Sequence, residues 1–437
     1  MFSTIRNAWA IPDLRKKLIF TILLLVVFRL GSFIPVPGVD TETLRMLFSD
    51  GGLGETLFGL LDLMTGGALA QMTIFAMGIA PYINASIIMQ LLTVAVPAFE
   101  RMQKEGEEGR KKLAQYQRYG TVALAALQAW GLYALLLGGF GQGVSLITNP
   151  GWQTAGIMII SFTAGTAFLM WLGEQITEKG IGNGISLIIF AGIVSRVPTM
   201  VQGLYHSVFT DGSLHIAGLA AILIVALVVV GLVVMMNEAE RRIPVQYAKR
   251  VVGRKMYGGQ STHVPIKVAS AGVIPIIFAM SIMAFPGTIA MMFGAPLDPN
   301  ATGFWAGFAR WMSPNHVFYA VASFLLIIFF TYFYTAIQFN PIEMGNNMKK
   351  NGGFIPGIRP GRPTSDYIAR VLGKVTTAGA IFIAFIAVFP MILSIGFNFT
   401  TFAIGGSSLL IVVGVALETV RQLESQMLMR HYKGFLE

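Results

Sequence analysis

The sequence predicts an all-α polytopic membrane protein with ten transmembrane helices, arranged as two inverted halves of five helices each. Three observations support this fold class: an apolar composition, long stretches without charge, and a motif repeated between the halves. Hydrophobic residues make up 54% of the 437 residues and charged residues 12%, which is about half the charged fraction of a soluble domain. A water-soluble chain of this length could not bury so much apolar surface.

Windows without Asp, Glu, Lys or Arg locate the membrane spans, because a helix needs about 20 apolar residues to cross the hydrocarbon core. The windows are 63–99, 119–173, 180–195, 212–237, 268–297, 311–342 and 375–417. The second and the last are each long enough for two helices. With the apolar run from Leu18 to Ile34, the predicted spans start near residues 18, 68, 119, 152, 181, 216, 268, 317, 375 and 404.

The distribution of positive charge predicts the orientation. If the N-terminus is cytoplasmic, every Lys and Arg residue lies in a cytoplasmic segment except Arg29 in the first span and Arg45, Arg196 and Arg310 in outer loops. Such an excess of Lys and Arg is typical of cytoplasmic loops. Both termini are therefore predicted to be cytoplasmic, and the net charge of +10 is explained first by topology.

Two motifs recur five spans apart. G-x-x-P-x-I-x-A begins at Gly78 and again at Gly272, and G-x-S-L-x-I-x-x-G begins at Gly184 and again at Gly406. A repeat unit of five spans must insert its second copy upside down, and inverted repeats place a pathway at their interface. The alternative is chance matching among small and aliphatic residues, which are common in membrane helices.

The repeated motifs align isoleucines, which predicts an apolar constriction at the centre of a pore. Such a ring excludes water and ions by dewetting, whereas the alternative is ordinary packing or contact with lipid. Residues four apart share one helix face, which adds two further positions to the aligned ones. The predicted ring is Ile79, Ile83, Ile185, Ile189, Ile277 and Ile411.

Polar residues within the spans indicate either a hydrated seam or ordinary hydrogen bonds between helices. Asn84, Gln128 and Ser281 lie within the second, third and seventh spans. Before the second span, residues 55–67 are too short to cross the membrane, so they form either an interfacial helix or a half-helix that obstructs a pore. Ionisable residues are nearly absent from the spans, with Arg29 and Asp62 as outer exceptions, which argues against an ion-coupled transporter.

Two long cytoplasmic loops, 237–267 and 340–374, are basic. The first has the alternation of a β-hairpin, and the second has a Pro- and Gly-rich tip that presents Arg359 and Arg362. One interpretation is that this charge only sets the membrane topology. The other is that it also binds a partner, either ribosomal RNA or an acidic protein. The chain has no cysteine, no phosphate-binding loop and no histidine spacing of a metal site, so we expect neither an enzyme nor a cofactor or metal.

Six sequence stretches closely resemble the SecY family, the channel subunits of protein-conducting translocons, in its bacterial form. They are GSFIPVPG at 31–38, GIAPYINASIIMQLLT at 78–93, FLMWLGEQITEKGIGNGISLIIFAGI at 168–193, QSTHVPIKVASAGVIP at 260–275, FIPGIRPG at 354–361 and GGSSLLIVV at 405–413. The resemblance implies a clamshell of halves 1–203 and 204–437, hinged between the fifth and sixth spans.

The resemblance also implies roles for individual residues. The six isoleucines match the family's pore ring, residues 55–67 its plug, and Asn84, Gln128 and Ser281 the polar positions of its lateral gate. Sites that dock the ribosome or the SecA ATPase match Arg254, Lys255 and Arg359, beside which Arg362 presents a further charge. Small membrane subunits, SecE and SecG, are further implied partners, and the basic loops also suit anionic lipids.

These observations together predict a passive channel in the bacterial cytoplasmic (inner) membrane. It would pass unfolded, signal-bearing polypeptides across the membrane and release membrane segments sideways into lipid, with energy from a docked ATPase or ribosome. The alternatives are a secondary transporter of a small solute, built on the same inverted repeat, and a docking scaffold without a pore.

Overall fold

The computed structural model describes residues 2–49, 57–138, 146–209, 215–247, 250–252, 255–257, 261–269, 271–292, 304–313, 316–397 and 400–433. Within these ranges, one helix corresponds to each predicted span. They are Pro12–Gly31 (α2), Ala80–Ala95 (α5), Glu107–Leu137 (α7), Trp152–Lys179 (α8), Gly184–Phe209 (α9), Ile216–Glu238 (α10), Ile274–Met292 (α11), Val317–Gln338 (α13), Arg362–Phe397 (α15) and Thr400–Lys433 (α16).

The chain is mostly helical, as the sequence predicts. By length and composition alone, six helices in the described part are apolar enough to cross a membrane, or seven if a bent pair around residue 96 is one span. Shorter helices connect the long ones: Phe2–Ala10 (α1), Thr41–Ser49 (α3), Leu57–Thr65 (α4), Pro97–Lys104 (α6), Phe304–Trp311 (α12) and Pro341–Lys350 (α14). The number of ten spans stays a prediction.

The second span begins later than the sequence predicts. Residues 66–79 form turns, and α5 starts at Ala80 rather than near residue 68. Gly66 and Gly67 take positive φ angles of 70° and 92°, which end α4 and turn the chain, since glycine adopts this conformation without steric cost. Backbone hydrogen bonds fix the turns, including one of 2.9 Å from the Val36 N–H to the Met72 carbonyl.

The first repeated motif has the same backbone geometry in both copies. Gly78 has a φ of 56° and Gly272 a φ of 61°, and the helix that follows each begins two residues later, at Ala80 and at Ile274. The second motif differs between its copies, because Gly184 begins α9 whereas Gly406 lies within α16. The shared backbone turn supports a true repeat for the first pair.

The helices pack as two neighbouring groups. In the first, α2, α5, α7, α8 and α9 contact one another, and in the second, α10, α11, α13, α15 and α16 do so. Three kinds of contact join the groups: α11 packs against α5 and α7, α9 packs against α10 and α16, and α4 packs against both groups. The buried apolar core runs across this boundary.

The loops 237–267 and 340–374 together form a three-stranded sheet, which we call the loop sheet, and the first loop also forms a separate two-stranded sheet. Strands Glu240–Tyr247 (β1), Arg250–Val252 (β2), Lys255–Tyr257 (β3) and Ser261–Lys267 (β4) belong to the first loop, and Gly353–Phe354 (β5) belongs to the second. β1 pairs antiparallel with β4 on one side and with β5 on the other, and β2 pairs with β3. The first loop therefore contains the predicted hairpin.

The loop sheet has its own buried core, which the sequence did not predict. Apolar residues of both loops and of α15 form it: Ile243, Val245, Ile266, Met348, Ile355, Ile368 and Leu372. The residue after β4 is held against the start of β1, because the Val268 N–H donates a hydrogen bond of 2.9 Å to the Ala239 carbonyl. A Cβ at Gly379 of α15 would lie 2.3 Å from the Val268 oxygen, so α15 contacts this backbone directly.

Candidate functional site

A cavity of about 120 Å³ lies where the two helix groups meet. Its walls come from α2, α4, α5, α7, α8, α9 and α11 and from the turns between α4 and α5. The walls are mostly apolar, and α4 contributes Phe58, Leu61, Met64 and Thr65. This short helix therefore lies against the cavity, as expected for a half-helix folded back into the protein rather than for one lying at the membrane surface.

The predicted isoleucine ring lies beside this cavity. Five of its members are buried in one apolar cluster, namely Ile79, Ile83, Ile189, Ile277 and Ile411. Ile79, Ile83 and Ile189 line the cavity itself. The structure thus brings together residues that are up to 332 positions apart in the chain, at the boundary of the two helix groups. Their role as a pore ring stays a prediction.

The sixth predicted ring residue, Ile185, takes a more peripheral position. It is half-buried and packs against the cluster. A Cβ at Gly173 of α8 would lie 2.4 Å from the Cδ1 atom of Ile185, so this side chain faces α8. Ile188, which the sequence analysis did not select, lines the cavity next to Ile189.

The three predicted gate residues line the same cavity. Asn84 lies on α5, Gln128 on α7 and Ser281 on α11. These helices belong to different groups, and α11 packs against both α5 and α7. The polar side chains therefore lie along the seam between the groups, and their role as a lateral gate stays a prediction.

The plug segment predicted at 55–67 is described from residue 57 onward, and its helix α4 ends at Thr65. Asp62 of α4 is fully buried and forms an ion pair with Arg196 of α9. Its Oδ1 atom also accepts a hydrogen bond of 2.7 Å from the Ala70 N–H. Arg29 of α2 donates over 2.8 Å to the carbonyl of Gly66, just after α4.

Sequence reasoning placed Arg196 in an outer loop, and this placement was wrong. Helix α9 continues to Phe209, so Arg196 lies on the helix and its side chain is only 31% exposed. The available signal was the pair of ionisable residues Arg29 and Asp62 in apolar segments, since such residues usually pair with one another. That signal could not name Arg196, which is far from Asp62 in the chain.

The candidate docking residues are partly described. Arg359 and Arg362 are both exposed, and the Arg359 carbonyl accepts a hydrogen bond of 2.9 Å from the Thr364 hydroxyl. Lys255 lies in β3, and Arg254 lies outside the described residues. In the described part of the chain, no group of three or more His, Cys, Asp and Glu residues is placed to hold a metal ion.

Comparison with known proteins identifies the family. A family model of SecY matches residues 73–420. The chain belongs to the SecY family. The protein translocase subunit SecY of Halalkalibacterium halodurans is 49% identical over 449 residues, and that of Streptomyces galbus is 46% identical over 447 residues. In both comparisons the match covers 100% of this chain and 100% of the relative.

Solved structures share the SecY fold with this chain. One is a SecY protein whose plug domain is described as stabilising the closed state of the translocation channel, with a TM-score of 0.67 and 21% identity. Another is the channel of a canine ribosome-channel complex from the endoplasmic reticulum, with a TM-score of 0.63 and 20% identity. Each covers 94% of this chain, which covers 92% of each of them.

Proposed function

We propose that this chain is the protein-conducting channel of a bacterial translocon. The observation that carries the proposal is the cavity at the boundary of the helix groups, closed by α4 and lined by apolar and a few polar residues. An apolar constriction excludes water and ions at rest, and its side chains move aside for a passing chain. Unfolded, signal-bearing polypeptides are the substrate, and membrane segments leave sideways between α5 and α11.

The channel works with partners that supply energy and complete the assembly. They are the SecA ATPase or a ribosome at the cytoplasmic loops, the SecE and SecG membrane subunits, and anionic lipids. The exposed Arg359 and Arg362 support an acidic or nucleic-acid partner, because clustered positive charge attracts both. The chain itself is a conduit in the cytoplasmic membrane, with halves 1–203 and 204–437 and both termini in the cytoplasm, and it does no chemistry.

The comparisons give no support to the alternative of a small-solute transporter, since the relatives are named translocase subunits. The structure also lacks the features of ion coupling in its described part. Asp62 is the one buried carboxylate there, and it is paired with Arg196, whereas proton or ion relays need chains of Asp, Glu or His.

Reconstitution tests the proposed function. The complete chain, with SecE and SecA in vesicles, should import a signal-bearing precursor in the presence of ATP. Because the chain has no cysteine, an Ile83→Cys variant carries one cross-linking probe, which we expect to react with a precursor arrested in passage. Phe304→Cys, on an outer helix, is the control. Import without any Ile83 adduct would reject the pore assignment, and solute uptake driven by an ion gradient would favour the transporter.

Charge reversal tests the docking surface. We expect Arg359→Glu to weaken SecA or ribosome binding by about tenfold at low salt, because like charges repel across such an interface. Arg370→Glu, exposed on α15 outside the tip, is the matched control. Binding is measured at several salt concentrations, since screening should reduce the difference between the two variants. Equal binding by both variants would show that the tip is no docking site.

A further inference from the structure

The plug helix α4 is attached differently to the two halves of the channel. Towards the C-terminal half it packs against α11 and α16. This contact is apolar where Leu61 meets a buried cluster that contains Met283, Tyr319 and Met391. Towards the N-terminal half, α4 packs against α9 and also forms the ion pair and the hydrogen bond described above. The ion pair and the hydrogen bond therefore both join α4 to the N-terminal half.

The ion pair between Asp62 and Arg196 is the centre of this attachment. The Asp62 side chain is 0% exposed and the Arg196 side chain 31% exposed, so the carboxylate is shielded from water. Breaking a buried pair by removal of one partner is strongly destabilising, because the other charge stays buried without compensation. The pair thus favours one position of α4 against α9.

Arg29 adds a second contact at the C-terminal end of α4. Its hydrogen bond to the Gly66 carbonyl satisfies a group that the helix leaves free, and positive charge near a helix C-terminus is favourable. The guanidinium also lies 4.6 Å from the centroid of the Phe33 ring, which holds it in place. Residues of α2 and of α9 thus approach the same end of α4.

Glycine makes this close approach possible. A Cβ at Gly192 of α9 would lie 2.6 Å from the Met64 carbonyl oxygen, and a Cβ at Gly66 would lie 3.0 Å from the Gly192 Cα atom. A Cβ at Gly67 would lie 3.6 Å from the Cζ atom of Arg196. The backbone after α4 is therefore in direct contact with α9, and the guanidinium of Arg196 lies over Gly67.

We propose that Asp62, Arg196, Arg29 and Gly66 form a plug latch, which keeps α4 on the N-terminal half until the pore is hydrated. This inference rests on the proposed channel function. When the halves separate, the apolar contacts of α4 with α11 and α16 are lost first, while the latch persists. Water that then enters beside Asp62 weakens the ion pair, since attraction between charges falls steeply as the local dielectric constant rises. The plug leaves in this second step.

The test measures exposure of the plug in the complete chain, reconstituted with SecE in lipid vesicles. The background variant is Met64→Cys, whose thiol is unique because the chain has no cysteine. A membrane-impermeant thiol reagent is added on the outer side to Asp62→Asn, Arg196→Gln and the double variant. We expect each single variant to react about tenfold faster than the background. The double variant should react more slowly than independent effects predict, because neither Asp62 nor Arg196 then leaves its partner charge unpaired.

Matched controls are Glu42→Gln and Arg45→Gln, exposed residues of the outer helix α3. The latch would be overturned if the single variants react no faster than these controls. It would also be overturned if the rate increase in the double variant equals the product of the two single increases. Asp62→Glu, which keeps the charge, should restore slow labelling if the Asn variant is unstable. Ion leak through a variant lacking residues 57–65 is measured in parallel. If the deletion causes no ion leak, α4 does not seal the channel and the proposed function of the plug is wrong. The labelling rates still test the latch separately.

Discussion

Replacing Ile83 and Ile277 together by serine should make the resting channel leak ions, by about tenfold or more over the unchanged chain. Both side chains are almost fully buried, with exposures of 3% and 4%. Hydroxyl groups at these positions would stabilise water within the constriction, and a hydrated path conducts ions. The measurement is the current across a planar bilayer, or the loss of a trapped ion from vesicles, without any translocating polypeptide.

The controls for this experiment separate hydration from a general loss of packing. The double variant Ile83→Val and Ile277→Val keeps both positions apolar, so we expect no increase in ion leak. Ile276→Ser alters a neighbouring residue of α11 that is equally buried, at 2%, but faces a small cavity among α10, α15 and α16. A leak as large in Ile276→Ser as in the double serine variant would show that the ring has no special role.

Deletion of residues 57–65 is expected to have the second large effect. It removes the whole of α4, and with it the part of the cavity wall formed by Phe58, Leu61 and Met64. The ring alone would then separate the two sides, so we expect frequent brief openings and a steady ion leak in vesicles. Import of a precursor should persist, because the passing chain has to displace this segment in any case.

A deletion of residues 299–303, which precede α12 in the chain, is the control for the effect of shortening the chain. Thermal unfolding of both deletions should be compared with that of the unchanged protein. If the variant without residues 57–65 folds and shows no more leak than the loop deletion, α4 is not a seal, and the ring would have to close the channel alone.

The sequence predicts the long helices well, because membrane spans follow a simple rule of composition. Each predicted span has a helix, and the isoleucines aligned by the repeat lie in one cluster. Where the prediction failed, glycines decided the outcome. The positive φ angles of Gly66 and Gly67 end α4 and begin a run of turns, whereas the absence of charge alone indicated that the second span continues back to residue 68.

Contacts between distant segments could not be predicted from a single sequence. Asp62 was visible as an unusual residue but Arg196 was not, and their pairing depends on the direction in which α4 folds back and on the length of α9. The pairing of loop 237–267 with loop 340–374 is a second example. β5 has only two residues, too few for a recognisable alternation, and it is placed by the apolar core beneath it.

The loop sheet has a mechanical consequence for the channel. β4 ends at Lys267, and α11 begins at Ile274 and bears the predicted gate residue Ser281. Even fully extended, the connecting residues 268–273 would reach about 20 Å, and contact with α15 at Gly379 restrains them further. Because the linkage is short and its first residue is held by these contacts, we expect a force on the loop sheet to be transmitted to α11. If a motor binds the loop sheet, as proposed above, it would strain the predicted lateral gate before any polypeptide arrives.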